Sequence, residues 1–472
     1  MTRAYNRDLL FTTQTAARET GRRKPLEGCP DFRLAPRQRI DYSRSSFTRA
    51  RSLEPNRQSG TSTVPGPRPW ASFGIRDFTL LWTANLIVSV SVEMRSVASL
   101  YQVYRLSGSS FQLGLTGFFQ ALPFIVFGLF GGVLADAFDR RRLLLLAQAL
   151  NILPGLALGL LTATGKIHVF HIYALGLVSS FVQLISWPAR SAFIPQVVPE
   201  AHLLNAITLN SMAQQASVLC APLIAGSLID LIGLEHAYLV DASLAVPGLL
   251  ALLAVRTSGK PEGQRGRIDL KSVTEGLFFV WRQRVILSLF LLDFGVTLVG
   301  FYRPILPVFA TDIFRVGATG LGALYAAPAV GAMLGFAALL LIGDVRRKGV
   351  LALGAALVFG AGLGLLGFSR TLAMAIGAVL ILGFTDAISV VVRRTVVQLL
   401  APDALRGRAS SLITVFAQAT NALGALLAGS AAALMGAPYT MLCGSVLCIL
   451  IVLAIGRAAP ELARYRSGSS TG

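Results

Sequence analysis

Apolar windows of about twenty residues recur from residue 78 almost to the C-terminus, and that recurrence decides what this chain can fold into. A hydrocarbon core about 30 Å thick takes about 20 mostly apolar residues per helix. Windows at 78–104, 112–134, 143–163, 168–189, 203–231 and 236–255 lead into a polar stretch, RTSGKPEGQRGRIDLKS, and six more follow at 286–310, 319–342, 349–368, 372–399, 408–434 and 438–456. The expectation is an all-α integral membrane protein with 12 transmembrane helices. Pro123, Pro154, Pro222 and Pro328 fall inside spans, where neighbouring helices can satisfy the freed backbone groups. Charged residues make up only 14% of the 472 residues and the mean hydropathy is +0.65. A soluble domain carries about 25% charged residues, so a soluble multidomain enzyme is excluded.

Twelve spans put both termini on one side of the membrane, and the basic residues say which. One set of loops carries Arg140 to Arg142, Arg190, the Lys/Arg residues from Arg256 to Arg284, Arg346 to Lys348, Arg393, Arg394, Arg406, Arg408 and the C-terminal arginines. The other set has only Arg105, Lys166, Arg303, Arg315 and Arg370. The positive-inside rule then places both termini and the 257–285 loop in the cytoplasm of a protein of the plasma (inner) membrane.

The formal net charge is +19, and fourteen Lys/Arg against six Asp/Glu put +8 of it in residues 1–70. That segment is rich in Arg, Ser and Pro, shows no helical or strand period and lacks the apolar region of a signal peptide, so it reads as a disordered tail. A basic tail near anionic lipid headgroups is the first reading. A start codon placed too early is the second, with no further methionine until Met94. A nucleic-acid-binding arm has no fold or interleaved aromatics behind it, so the expected partners are membrane lipid and small molecules, not nucleic acid. Cys29, Cys220, Cys443 and Cys448 have no CxxC spacing and read as packing residues of a reduced protein, with no metal and no cofactor.

The chain also repeats itself. Displaced by about 203 positions, PEAHLLNAITLNSMAQQASVLCAPLIAGS (199–227) lies on PDALRGRASSLITVFAQATNALGALLAGS (402–430) without a gap, Gln215 meets Gln418, and Arg190 meets Arg393. The expected organisation is a tail at 1–70, a six-helix bundle at 71–256, a linker loop at 257–285, a second six-helix bundle at 286–456 and a C-terminal cytoplasmic tail at 457–472.

A charge at the bilayer centre costs roughly 2.5–3.5 kcal/mol on insertion scales, so charges inside spans are candidates for function. Glu93 and Arg95 lie in span 1, Asp293 and Arg303 in span 7, and Asp386 in span 10. Glu93 and Arg95, two apart, do not face each other on a helix, so each finds a partner elsewhere or faces water. Glu93, Asp293 and Asp386 read as proton-coupling or substrate-cation candidates, with structural ion pairing as the competing role. Arg95 reads as an anion ligand or an ion-pair partner. Arg303, just before Pro304, reads as a gating or snorkelling residue. Arg190 and Arg393, at the cytoplasmic ends of spans 4 and 10, read as inter-helix clamps.

Between spans 2 and 3 stands GGVLADAFDRRR, Gly131 to Arg142. A basic triplet anchors topology by itself. Beyond that, Gly132 permits close helix approach and Asp136 at the membrane edge can meet the positive end of a neighbouring helix. The segment resembles the GxLaDrxGRRxxl signature of the major facilitator superfamily, with Ala137 where a basic residue is usual and Asp139 where Gly is usual. GDVRRKG (343–349) is a shortened echo in the second half. Together with QVYRLSGSSFQLGL, SWPARSAFIPQVVPEAHLLNA and LAPDALRGRASSL, the motif resembles the transmembrane secretion effector branch that includes the enterobactin exporter and macrolide efflux proteins. The resemblance covers about 76–456. It implies two parallel six-helix repeats, the major facilitator fold, with a site at their interface lined by helices 1, 4, 7 and 10. It also implies a cytoplasmic gating cluster of Gly132, Asp136, Arg140, Arg141, Arg142, Arg190 and Arg393. CAPLIAG (220–226) partly resembles the fifth-helix motif of antiporters, with Ala221 in place of its Gly.

The function expected is a secondary active, proton-coupled exporter of a siderophore, drug or other amphipathic small molecule, acting as a monomer by alternating access. A lipid or lysolipid flippase and an importer share this fold. A membrane-embedded enzyme lacks metal-spaced clusters, a nucleophile elbow or paired carboxylates, and a sensor lacks an appended domain. His168 and His171 read as a membrane-interface pair with no third ligand. The GxxxG spacings Gly128/Gly132, Gly155/Gly159, Gly331/Gly335 and Gly360/Gly364 read as packing within one chain.

Overall fold

The computed structural model describes residues 70–128, 138–260, 278, 281–343 and 345–464, with the side chains of 403–414 and 463 outside the description. The expected tail up to residue 69, Gly132 and Asp136 of the motif, and most of the 257–285 loop therefore lie outside the described residues.

Among the described residues the long helices number twelve: α1 (Arg76–Ser107), α2 (Ser110–Phe127), α3 (Arg140–Ala163), α4 (Val169–Val197), α5 (Leu203–Ile232), α6 (Leu234–Leu253), α7 (Arg284–Gly300), α8 (Gly317–Ile342), α9 (Lys348–Phe368), α10 (Leu372–Leu400), α11 (Asp403–Met435) and α12 (Ala437–Ala458). A short α13 (Pro460–Arg464) follows. Eleven of the twelve are long and apolar enough to cross a membrane. The exception is α1, the helix that carries Glu93 and Arg95. It is also polar on its protein-facing side, where Asn85, Ser91, Arg95, Ser99 and Gln102 are buried, so its polarity serves the interior and not the lipid.

Local chemistry sets the helix ends. Gly108, at φ 57°, closes α1 with its N–H on the Tyr104 carbonyl, a left-handed cap that glycine adopts without strain. Asp139, the unusual residue in the motif, caps α3 by accepting the Arg142 N–H at 3.1 Å. The His168/His171 pair caps α4, with the His168 N–H donating to His171 Nδ1 at 3.0 Å. Among the described residues, no group of three His, Cys, Asp or Glu is placed to hold a metal.

In the first half α1 packs on α5 and α6, α3 on α6 and α4, and α2 on α4; in the second α8 packs on α10, α9 on α10 and α12, and α7 on α11 and α12. Glycines let these helices meet. A Cβ on Gly331 would lie 2.0 Å from the Leu380 carbonyl oxygen, and one on Gly335 would lie 2.6 Å from that of Phe384, so this pair seats α8 on α10. Gly155 and Gly159 face Asp241 and Leu239 of α6. The repeat is visible in the helix boundaries: α4, α5 and α6 end or start 203 residues before the matching ends or starts of α10, α11 and α12, and Gly233 (φ 90°) maps onto Gly436 (φ 83°).

The two halves meet through α2 against α11 and α5 against α8. On the side away from the chain ends, here the far side, one apolar core runs through both halves, joining Tyr101 and Tyr104 of α1, Ala225 of α5, Ile305 to Ala310 after α7, and Leu321 of α8. On the side bearing the chain ends, here the terminus side, the first half has its own core around Phe78, Leu81, Leu144 and Phe193. Apolar continuity across the halves is therefore a far-side feature, and polar cavities occupy the interior toward the terminus side. The region expected as a C-terminal tail begins with α13, whose Leu462 is fully buried against Gly349 and whose Glu461 pairs with Arg284 at 3.0 Å.

Candidate functional site

The seventh span is discontinuous, and the break builds the site. After Gly300 the chain leaves the helix at Phe301 (ψ 84°), makes a 3-10 turn over Arg303–Ile305, one helical turn over Leu306–Val308 and a π turn over Phe309–Ile313. Pro304 and Pro307 cause this, because neither donates a backbone N–H and each constrains the residue before it. Arg303 is held in the break: its carbonyl accepts from the Tyr325 hydroxyl at 2.8 Å, and its guanidinium lies over the Tyr325 ring, 5.8 Å from the centroid. From there it interacts electrostatically with Glu93 of α1 and Asp386 of α10. Three candidate charges from both halves thus share one electrostatic neighbourhood. Neither Glu93 nor Asp386 has a hydrogen bond or ion pair with any described residue, and both line cavities.

Glu93 borders two spaces. One, of about 350 Å³, reaches toward the terminus side between α1, α3, α4 and α5, and is lined by Asn85, Asn151, Gln183, Trp187, Arg190 and Gln215 among others. The second, of about 140 Å³, has Ser96, Gln120, Ser179 and Gln183 on its walls. In the second half a small cavity of about 30 Å³ collects Asp293, Thr297, Thr385, Asp386 and Ser389.

Two further candidates, Arg95 and Asp293, border these cavities but are held in ion pairs. Arg95 is taken up by protein: it donates to the Asn151 carbonyl at 2.8 Å and to Asn151 Oδ1 at 2.6 Å, and lies 3.4 Å from Asp241 of α6, whose other oxygen accepts from Ser91. Arg95 and Asp241 are 5% and 1% exposed, so the pair ties α1, α3 and α6 together, with Arg95 on the wall of the 140 Å³ cavity. Asp293 pairs with Arg393, which clamps α7 to α10 inside the second half. Arg190 makes no such clamp; its Nε is buried without an acceptor. Arg140 donates to the Ala192 carbonyl at 3.0 Å and Arg141 to that of Leu253 at 2.9 Å, so the motif's arginines bind helix ends of α4 and α6. Arg142 contributes its backbone N–H to the Asp139 cap.

Four residues that hydropathy reasoning passed over matter on the far side and in the core. Asp241 sits in HAYLVDASLAV, where an acid in an apolar run was the available signal. Asp230 of α5 accepts the backbone N–H groups of Ala318 and Thr319 at the start of α8. Tyr104 of α1 donates to Asp312 in the π turn. These contacts latch the far side across the two halves.

The comparisons with known proteins agree with this architecture. Residues 67–467 match the model of the transmembrane secretion effector family. The enterobactin exporter EntS of Shigella boydii serotype 18 is 27% identical over 387 residues, 80% of this chain and 92% of that protein, and EntS of Escherichia coli O139:H28 is 26% identical over the same shares. Among solved structures, a bacterial homologue of the human lysosomal transporter Spinster, in an inward-facing and unoccupied conformation, superposes with a TM-score of 0.65 at 18% identity, covering 86% of this chain and 100% of its own. A POT family transporter in complex with 5-aminolevulinic acid gives 0.68 at 14% identity, covering 82% and 96%. With twelve long helices among the described residues, eleven of them apolar enough to cross a membrane, and a family match over most of its length, the chain belongs to the transmembrane secretion effector family of major facilitator transporters.

Proposed function

We propose that this secondary transporter exports a siderophore-like or other amphipathic molecule from the cytoplasm, driven by proton entry, as a monomer without a cofactor. The observation that carries the reading is the electrostatic coupling of Arg303, in the break after α7 where the two halves adjoin, to both Glu93 and Asp386. Two carboxyls without protein partners next to one arginine can exchange a proton or a cationic group while the arginine compensates whichever acid is charged. The far-side latches and the terminus-side cavity correspond to a state loaded from the terminus side, which the basic loops make cytoplasmic. Gly132, Asp136 and the arginines around them would then gate that mouth as one bundle rocks against the other. The relatives named enterobactin exporters place siderophores first among the substrates to try.

The test is flux in proteoliposomes loaded with enterobactin or amphipathic drugs under an imposed pH gradient, in wild type, Glu93→Gln and Asp386→Asn. Gradient-driven flux in wild type that both variants lose is the expected result. Flux indifferent to the gradient removes proton coupling, and an absence of flux with every substrate returns the protein to the sensor reading.

A further inference from the structure

Arg190 and Arg393 hold the same place in the two repeats, because α4 and α10 start at Val169 and Leu372 and end at Val197 and Leu400, in register with the arginines. Their surroundings differ. Arg393 has Asp293 of α7. In α1 and α2 the repeat offset is set by Gly108 and Arg315, both in the left-handed region (φ 57° and 55°), and by helices starting at Ser110 and Gly317. Carried back by that offset, Asp293 falls on Leu86, or on Ile87 once the extra residue of the π turn is allowed for, so α1 has no acid at the position equivalent to Asp293.

Arg190 accordingly has no hydrogen bond or ion pair with any described residue, and its Nε is buried without an acceptor. A second donor in the same cavity is also unmatched. Asn151 is 2% exposed, and because its Oδ1 takes the Arg95 guanidinium, its amide nitrogen must point elsewhere; that nitrogen has no acceptor. Gln183, Gln214 and Gln215 add amides, Trp187 adds an aromatic surface, and Glu93 is the one acid on the lining. Arg190 is partly buried on the cavity wall with no counter-ion, an arrangement that an anion would complete, and its planar fork matches carboxylates and sulfonates.

We infer that the 350 Å³ cavity of the first half is an anion-binding vestibule in which Arg190 and Asn151 hold the acidic end of an aromatic or otherwise amphipathic organic anion, with Trp187 against its apolar part. This rests on the transport reading in that the bound anion is cargo on its way to the Glu93–Arg303–Asp386 centre.

The test is equilibrium binding of naphthalene-2-sulfonate and its neutral isostere naphthalene-2-sulfonamide to the full-length protein in phosphatidylcholine nanodiscs. No gradient is applied, so loss of proton coupling leaves this readout intact, while flux without anion preference would sink this inference alone. Wild type is expected to favour the sulfonate by about ten-fold or more, as a charge-assisted hydrogen bond requires. Arg190→Gln should erase the preference and Arg190→Lys should keep part of it. Ser89→Asp, which adds a carboxylate to the same lining and leaves the arginine in place, should erase it too. Equal affinities in wild type, or a preference that survives Arg190→Gln and Ser89→Asp, overturns the assignment. Adding phosphatidylglycerol should leave sulfonate binding unchanged; its loss would give the site to lipid headgroups instead.

Discussion

Asp230, near the end of α5, accepts hydrogen bonds from the backbone N–H groups of Ala318 (3.1 Å) and Thr319 (2.7 Å) at the start of α8, so an acid of the first half caps a helix of the second. Gly317, at φ 66°, makes the approach, since even a Cβ there would lie 3.2 Å from both carboxylate oxygens. A cap between halves exists only while the halves touch, which makes it a term in the closed-to-open equilibrium as well as in helix stability.

Asp230→Ala is expected to remove about 1 kcal/mol from far-side closure, shifting the ratio of closed to open states roughly five-fold. Spin labels at Leu106 and Tyr439, exposed far-side positions on α1 and α12, report it in a background freed of native cysteines. A growing long-distance population in the variant supports the latch; identical distance distributions reject it.

Arg95 and Asp241 lead to a different expectation, because their pair is enclosed. Arg95→Gln or Asp241→Asn alone should destabilise by about 3–5 kcal/mol, leaving one buried charge uncompensated. The joint replacement Arg95→Met with Asp241→Leu should recover much of that loss. Thermal unfolding in detergent is the measurement, and single variants that melt with wild type would show that the pair contributes nothing.

Hydropathy located the helices, because lipid demands a continuous apolar stretch and eleven of the twelve long helices described supply one. It could not locate the break at Phe301, although Gly300, Pro304 and Pro307 stood inside the window, since prolines elsewhere (Pro123, Pro154, Pro222) sit in unbroken helices. The intramembrane charges were legible as a set and illegible as pairs. Arg303 is coupled electrostatically to both Glu93 and Asp386 because of how segments of the two halves pack, and Arg95 pairs with Asp241, 146 positions away. Arg190 and Arg393, equivalent in the repeat, differ in the structure in that α7 has an acid where α1 has a leucine or isoleucine.

The terminus side offers a pH test. Asp77, in the first turn of α1 ahead of the apolar span, accepts from the backbone N–H groups of Arg256 and Thr257 (3.0 and 2.8 Å) and from the Thr257 hydroxyl (2.6 Å), tying the start of α1 to the chain leaving α6. Burial alone would raise its pKa, but these hydrogen bonds, led by those from Thr257, and the nearby Arg76 outweigh it and hold the carboxyl below its usual value. A folded-state pKa below the unfolded one gives stability that is fully present above the unfolded value, near 4, and is lost as pH falls through the folded value. Asp77→Asn should therefore melt below wild type at pH 7, and the gap should close as pH drops below about 4. A gap independent of pH would assign the effect to packing instead.

Two glycines distinguish packing within a half from packing between halves. A Cβ on Gly331 would lie 2.0 Å from the Leu380 carbonyl oxygen, between α8 and α10 of the second half, where no conformational change can relieve it. One on Gly114 would lie 2.7 Å from the Ala425 carbonyl oxygen and 3.0 Å from Gly429 Cα, between α2 and α11, where opening of the far side can. Gly331→Ala is expected to lower the unfolding temperature and leave the distribution of states unchanged. Gly114→Ala is expected to melt near wild type and to widen the far-side distance between labels at Leu106 and Tyr439. If both variants lose stability and neither changes that distance, the α2–α11 contact is permanent, and rocking must then occur about some other line of contact.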